Sequence, residues 1–341
     1  MVKLSHEVVT PPYTFRPIQP DDAPGLYRLL QAIAEVEPNA YAPTLADVQS
    51  DLADPWMDLE TDSRLALTGD SAVAARASFF ANPQPVGEVR AVMDFDVHPA
   101  HNSDELEEAL LDWLEARGTE RVREIAAGDP GRQPLILRLL AWDTQRDLIT
   151  RCERRGFRPV RYSYRMRRDL RQPIPDRPLL PGLIIRAYEP GLDERMRQAR
   201  NESVSDSWSH EHVSHADWQQ FFVQRSSFRP DLSFAVLDGD EVAAFSMNRF
   251  DPAEAERTGH RAGWIGSLGT RRAWRGRGLA SALLVHSMRA FLAAGLEYAG
   301  LGVDSQNPTG ALRLYEHLGF EPYARGITLH KVISANPPHV D

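Results

Sequence analysis

Four arginines and two glycines crowd one short turn. Residues 268 to 280 read Leu268, Gly269, Thr270, Arg271, Arg272, Ala273, Trp274, Arg275, Gly276, Arg277, Gly278, Leu279 and Ala280. An apolar-periodic segment follows, with Ala280, Leu284, Met288 and Phe291 spaced as one face of a helix. The order is a short strand, a basic glycine turn and a helix start. Gly276 and Gly278 let backbone approach an anion without Cβ interference. The free N–H groups and dipole of a helix start favour negative charge there. Arg271, Arg272, Arg275 and Arg277 add positive charge at the same place. The chemistry expected of such a turn is the holding of a diphosphate.

Two common phosphate loops do not fit. The Walker pattern needs a Lys after its last glycine, and none is present. The dinucleotide fingerprint needs a third glycine three residues after Gly278, and none stands there or in Ala282 and Leu283 beyond. Arg275-x-x-Gly278-x-Ala280 instead resembles the acyl-CoA pyrophosphate loop of the GNAT N-acetyltransferase superfamily, Gln/Arg-x-x-Gly-x-Gly/Ala. A companion motif lies downstream in Val303–Phe320: Asn307, then Ala311-x-x-Leu314-Tyr315-Glu316, then Leu318-Gly319-Phe320. The stretch is similar to the mycothiol synthase subgroup of tandem GNAT proteins, which acetylate the cysteinyl amine of a pseudodisaccharide thiol. The segment around Asn201–His210 looks like a broader set of tandem GNAT proteins.

This resemblance implies acetyl-CoA, or another acyl-CoA, as cosubstrate and a small-molecule primary amine as acceptor. It implies direct transfer in a ternary complex, with no metal. Leu268, Gly269 and Thr270 would meet the pantetheine arm through backbone groups, in the manner of an added strand. Arg275, Gly276, Arg277, Gly278, Leu279 and Ala280 would hold the diphosphate. Tyr315 would protonate the departing thiolate, since amine attack on a thioester expels a sulfur anion that a nearby phenol can quench. Asn307 would meet the cofactor arm or cap the following helix. The strands around Leu268 and Val303 are expected to splay and admit the acyl group between them.

An attacking ammonium must first lose a proton. The strand Trp264–Gly269 offers no carboxylate for this. Polar candidates lie in Asn201–Phe222, a helical segment expected to border the acceptor: Asp206, Trp208, His210, Glu211, His212 and His215. Trp208, His210 and Glu211 are the expected substrate contacts. Glu254 and Glu256 read as a solvated loop. His210, His212 and His215 do not form a zinc motif, because offsets of two do not share a helix face.

The chain has 341 residues, 42% of them hydrophobic, which favours two ordinary domains with packed cores. A net charge of −9 argues against a nucleic-acid partner. The single cysteine, Cys152, rules out an internal disulfide and suits a reducing compartment. No signal peptide and no run of about 20 apolar residues appears, so no membrane role and a cytoplasmic location are expected. The protein is expected to be a monomer or homodimer. A non-catalytic acyl-CoA-binding regulatory or interaction protein is the alternative to an enzyme.

The chain reads as one unit written twice. Tyr13–Ile18 and Leu183–Tyr188 open the halves. Ser63–Asp70 and Leu232–Asp240 each read as a strand running into a Gly/Asp hairpin turn. Gly156-Phe157 mirrors Gly319-Phe320, and strands at Tyr162–Met166 and Ile327–Val332 close the halves. The expected fold is α/β (α+β): two tandem GNAT domains, each a mixed, mostly antiparallel sheet flanked by helices. The expected boundaries are 11–170 and 183–333. The linker 171–182 carries four prolines and is expected to be extended. Aligning Ala109–Leu111 with Ala282–Leu284 places Asn102–Glu107 opposite Arg275–Ala280. The first half thereby loses both glycines and both arginines and gains Asp104, Glu105 and Glu107. Three carboxylates suit a helix start but repel a diphosphate. The first copy is therefore expected to be degenerate.

Overall fold

A computed structural model describes residues 13–37, 39, 42–54, 56–85, 87–128, 134–205, 208, 212–307 and 310–333. Asp206, His210 and Glu211 lie outside the described residues. Two compact units divide the chain. One runs to Leu139 and takes in Val332 and Ile333; the other is Leu140–Lys331.

The first unit contains β1 (Thr14–Arg16), α1 (Ala23–Val36), α2 (Leu45–Leu52), α3 (Leu59–Asp62), β2 (Ser63–Leu67), β3 (Val73–Phe80), β4 (Val89–Val97) and α4 (Asp104–Ala127). β5 (Leu135–Trp142) begins in it. The strands run in the order β1-β2-β3-β4-β5. All pairs are antiparallel except β4 with β5. The expected hairpin turn after Ser63–Thr68 joins β2 to β3. α1 and α2 bury Leu26, Leu29 and Val48 with Leu65. α4 lies close on the sheet at Gly118, where a Cβ would stand 3.1 Å from Leu137 and 3.7 Å from Ala91.

The second unit continues with α5 (Arg146–Arg154), β6 (Arg158–Asp169), β7 (Ile184–Ala187), α6 (Asp193–Val204), α7 (His215–Trp218), β8 (Phe234–Asp238) and β9 (Glu241–Arg249). It ends with α8 (Pro252–Thr258), β10 (Ala262–Thr270), α9 (Leu279–Ala293), β11 (Tyr298–Asp304), α10 (Ala311–His317) and β12 (Glu321–Ile333). Its sheet order is β12-β6-β11-β10-β9-β8-β7. Alternation along β8 shows how two faces are filled. Phe234 and Val236 pack with Leu279 and Leu283 of α9, while Ala235 and Leu237 pack with Met196 and Ala199 of α6.

Two expectations need correction. Glu254 and Glu256 sit in helix α8 rather than a loop: Asp251 accepts from the N–H groups of Ala253 and Glu254, and Pro252 opens the helix. The strand expected to close the first half at Tyr162–Met166 is longer and belongs to the second unit. β6 lies between β11 and β12, antiparallel to both. The reason is packing: Met166, with Tyr164 beside it, joins the core formed by Leu284, Met288, Leu301 and Phe320. By their contacts the two compact units divide at Leu139.

Candidate active site

β10 is the element that opens the site. It pairs with β11 in parallel from Ala262↔Tyr298 to Ile265↔Leu301, and the ladder stops there. Beyond that point β10 stays with β9 as far as Thr270↔Ala244, and β11 stays with β6 as far as Asp304↔Ser163. The two strands therefore part, as the splay expected from sequence requires. The β9–β10 register slips between Ile265 and Ser267, so Gly266 is an extra residue that bends the strand. At Gly269 a side chain would collide with Ser203 and Phe245, so glycine lets the end of α6 close on the strand.

The turn after β10 is shaped by its own basic residues. Arg271 donates to Glu202 at 2.6 Å and also pairs with Glu241. The Arg272 N–H donates to the second Glu202 oxygen at 3.1 Å. Arg275 donates to the carbonyls of Thr270 at 3.3 Å and Ser203 at 3.0 Å. Arg271 and Arg275 were both read from sequence as charge for an anion. The Arg271 charge is matched by carboxylates, and the Arg275 guanidinium braces the turn against α6. Arg277 is exposed.

Gly276 and Gly278 adopt φ of +73° and +78°, the left-handed region where a side chain is strained. A Cβ on either would meet nothing within 4 Å. Conformation, not crowding by the chain, requires glycine at both. Gly278 is the N-cap of α9 and supplies no side-chain hydrogen bond, and no acidic residue stands in the first turn. The first N–H groups of a helix lack intrahelical partners, so these are left for whatever lies in front of them. Beside them the Thr270 hydroxyl is buried with no hydrogen-bond partner among the described residues.

These groups border a cleft of about 560 Å³. Of the expected cofactor contacts, Leu268, Gly269, Thr270, Arg275, Gly276, Gly278, Leu279, Ala280 and Asn307 line it, as does Tyr315. Arg277 does not. Asn307 does not cap α10, since Gly310 is the N-cap. Tyr315 is 9% exposed, and its ring meets Phe320 edge-on with centroids 6.1 Å apart. Burial pushes its phenol up to about 12, so the hydroxyl keeps its proton throughout the neutral range.

Trp208 lines a different place. It stacks on His330 at 5.6 Å, with the Arg161 guanidinium 5.2 Å from its ring. Sequence reasoning missed Ser203 and Val204, which bring the end of α6 to the cleft. It also missed Glu202 as the anchor of the basic turn. No local pattern marks a helix end that meets a strand far along the chain.

A cofactor with a diphosphate and a long amide-bearing arm fits these features. The anion would face the uncapped helix start, and the arm would run along the free edge of β10 past the Thr270 hydroxyl. Parted parallel strands, a bulge in one of them and a glycine turn into a helix define the acetyltransferase class of α/β fold. The chain belongs to the GNAT family of N-acetyltransferases, whose members use acetyl-CoA as cosubstrate. The description of the acetyltransferase (GNAT) family matches residues 194–320. A mycothiol acetyltransferase from Thermobispora bispora is 30% identical over 228 residues, covering 66% of this chain and 70% of that one. The crystal structure of a GCN5-related N-acetyltransferase from Sphaerobacter thermophilus superposes with a TM-score of 0.68 at 26% identity, covering 96% and 97% of the two chains. A tandem GNAT protein from the clavulanic acid biosynthesis pathway shares the fold at 17% identity, with a TM-score of 0.67 and coverage of 95% and 99%. Among the described residues no helix is long and apolar enough to cross a membrane.

Proposed function

We propose that the protein transfers an acetyl group from acetyl-CoA to a small-molecule primary amine by direct attack in a ternary complex. The observation that carries this reading is one cleft shared by the uncapped, glycine-led start of α9 and the buried phenol of Tyr315. The helix start and the Gly276–Gly278 backbone hold the diphosphate. The backbone of Leu268–Thr270, on the edge of β10 that β11 has left, holds the arm and polarises the thioester carbonyl. The neutral amine nitrogen bonds to that carbonyl carbon, the carbon–sulfur bond breaks, and the extra proton on nitrogen passes to water, from which the Tyr315 phenol regains the proton it gives. Tyr315 donates a hydrogen bond, and then a proton, to sulfur.

The chain is read as two copies of one domain, 11–170 and 183–333, with only the second binding the cofactor. A precursor thiol of the kind acted on by mycothiol acetyltransferases is one candidate acceptor. A second reading, an acyl-CoA-binding protein without turnover, is favoured by one observation: the described residues lining the cleft include no Asp, Glu or His. Calorimetry with acetyl-CoA and free-thiol release across a panel of amines separate the two. Binding with amine-dependent thiol release is the expected result. Binding with no release on any amine favours the second reading, and no binding removes both.

A further inference from the structure

The two strands that open the cleft each carry a glycine at the gap. The last paired residues are Ile265 of β10 and Leu301 of β11, and the next are Gly266 and Gly302. Both are exposed. Glycine inside a strand weakens it, so each such position calls for a reason. At Gly263 a side chain would collide with Phe291, at Gly269 with Ser203 and Phe245, and at Gly300 with the Trp264 ring at 2.5 Å. At Gly266 it would stand 3.3 Å from the Met247 carbonyl oxygen. Gly302 differs from all of these. A Cβ there would meet nothing within 4 Å, and its φ lies outside the left-handed region. Neither crowding by the chain nor backbone conformation accounts for it.

The space that Gly302 leaves has a definite place. Ala299, Leu301 and Val303 of β11 join the core with Leu284 and Met288 of α9, as does Ile265 of β10. Gly300 and Gly302 alternate with the β11 residues and face the other side of the sheet. Trp264 lies on that side too, with its ring over Gly300. Packed side chains therefore close the gap on the α9 side. On the other side it is open from Gly302 to the edge of the indole. The guanidinium groups of Arg165 and Arg249 lie 5.7 and 5.5 Å from the Trp264 ring centre and help to hold the ring where it is. Gly300 and Gly302 lie about 7 Å apart along the strand, and the indole takes the far half. What is left is the length of about two added carbons, with an aromatic edge at its end.

Resting on the acyl-transfer reading above, we infer that the donor site takes short acyl groups longer than acetyl, propionyl and butyryl among them, with the added carbons lying over Gly302 against the Trp264 indole. A thioester whose arm follows the free edge of β10 brings its acyl carbons to this gap, and a methyl group alone uses little of the room. Gly302 is then a specificity-determining residue: its missing side chain sets the length of the group transferred. The bond changes are those of acetyl transfer. The carbonyl carbon gains the amine nitrogen and loses sulfur, CoA leaves as the thiol, and the proton lost by nitrogen replaces, through water, the one given to sulfur. Only the alkyl group on the carbonyl is longer.

The test is calorimetry on the full chain with acetyl-, propionyl-, butyryl- and octanoyl-CoA, a measurement that needs no acceptor. Affinity is expected to rise about two- to fourfold per methylene from acetyl to butyryl, as apolar carbon leaves water, and to gain little more at octanoyl. In Gly302→Val the new side chain fills the space, and butyryl-CoA is expected to bind no better than acetyl-CoA. Gly302→Ala should keep part of the preference. Valine suits a strand, so the melting temperature of Gly302→Val should hold or rise; if it falls, Gly302→Ala decides on the same ratio of affinities. Wild-type protein that binds butyryl-CoA no more tightly than acetyl-CoA overturns the inference. So does a gain with chain length that continues to octanoyl-CoA and survives in both variants. A wild-type protein that fails to bind acetyl-CoA at all breaks the acyl-transfer reading itself, a distinct result.

Discussion

α4 and α9 follow equivalent strands, but their first turns are built for opposite purposes. α4 begins at Ser103, whose backbone is extended and whose hydroxyl accepts from the Leu106 N–H at 3.3 Å. Asp104, Glu105 and Glu107 fill its first turn. α9 begins at left-handed Gly278, with no side-chain cap and no acid. Upstream, the β3–β4 ladder runs from Phe80↔Val92 to Ala75↔Val97 without a slip, whereas β9–β10 is bulged at Gly266. Downstream, α5 buries Cys152 and α10 carries Tyr315. Both helices have the same dipole. What separates them is whether the chain satisfies its own helix start or leaves it for a ligand. The N-caps also correct the alignment: Ser103 matches Gly278, and the turn 98–102 is shorter than 271–277.

The largest expected effect comes from giving α9 an acidic start. Gly278→Glu forces a side chain into φ near +78° and puts a carboxylate where a diphosphate would lie. Acetyl-CoA affinity measured by calorimetry should fall at least about 100-fold, roughly 2.7 kcal/mol. Unchanged affinity would mean that the two helix starts differ without functional consequence. Next is Tyr315→Phe, which makes α10 chemically more like α5. It should lower kcat by about 10- to 100-fold and leave acetyl-CoA affinity in place, since a donor to the leaving group acts in the transition state. The pH dependence carries a sign. A phenol pushed up to about 12 by burial stays protonated as pH rises through the ordinary tyrosine value near 10. The kcat profile should therefore show no falling limb from this group below about pH 10. A limb near pH 8 that disappears in Tyr315→Phe would assign the phenol a different environment.

Much of this site was legible because its signals are local. The left-handed φ of Gly276 and Gly278 and the strand-turn-helix order follow from residue type at short range. The hairpin turns at Thr68–Ala72 and Asp238–Glu241 follow likewise. Gly156 and Gly319, both with positive φ and each followed by a buried Phe, marked the repeat correctly. What escaped was long-range. Nothing near Arg271 announces that Glu202 and Glu241 will neutralise it, and nothing near Arg275 announces the Ser203 carbonyl. Charge counted along a sequence overstates the field at a site, because partners arrive from distant elements. The placement of β6 between β11 and β12 escaped for the same reason. Period-2 alternation says that a strand has an inward face, but not which sheet will cover it.

Glu202 tests whether that bracing matters. Glu202→Gln keeps the shape but weakens the hold on Arg271 and on the Arg272 N–H. The ion pair is partly exposed, so its contribution is on the order of 1 kcal/mol or less. Acetyl-CoA affinity is expected to fall about two- to fivefold, with little change in melting temperature. An increase would show that releasing the Arg271 charge toward an anion outweighs the loss of order in the turn.

The smallest effect belongs to the first unit and is the control for the whole comparison. Ser103→Ala removes the hydroxyl that caps α4 and should cost about 1 kcal/mol. In a unit of this size that is a loss of roughly 2–4 °C in melting temperature. The three carboxylates of the first turn still suit the dipole and soften the loss. Acetyl-CoA affinity and kcat should not move, because three first-turn carboxylates make this helix start unfit for a diphosphate. A drop in acetyl-CoA affinity would join the first helix start to cofactor binding. It would undo the contrast between a helix start that caps itself and one left open for a ligand.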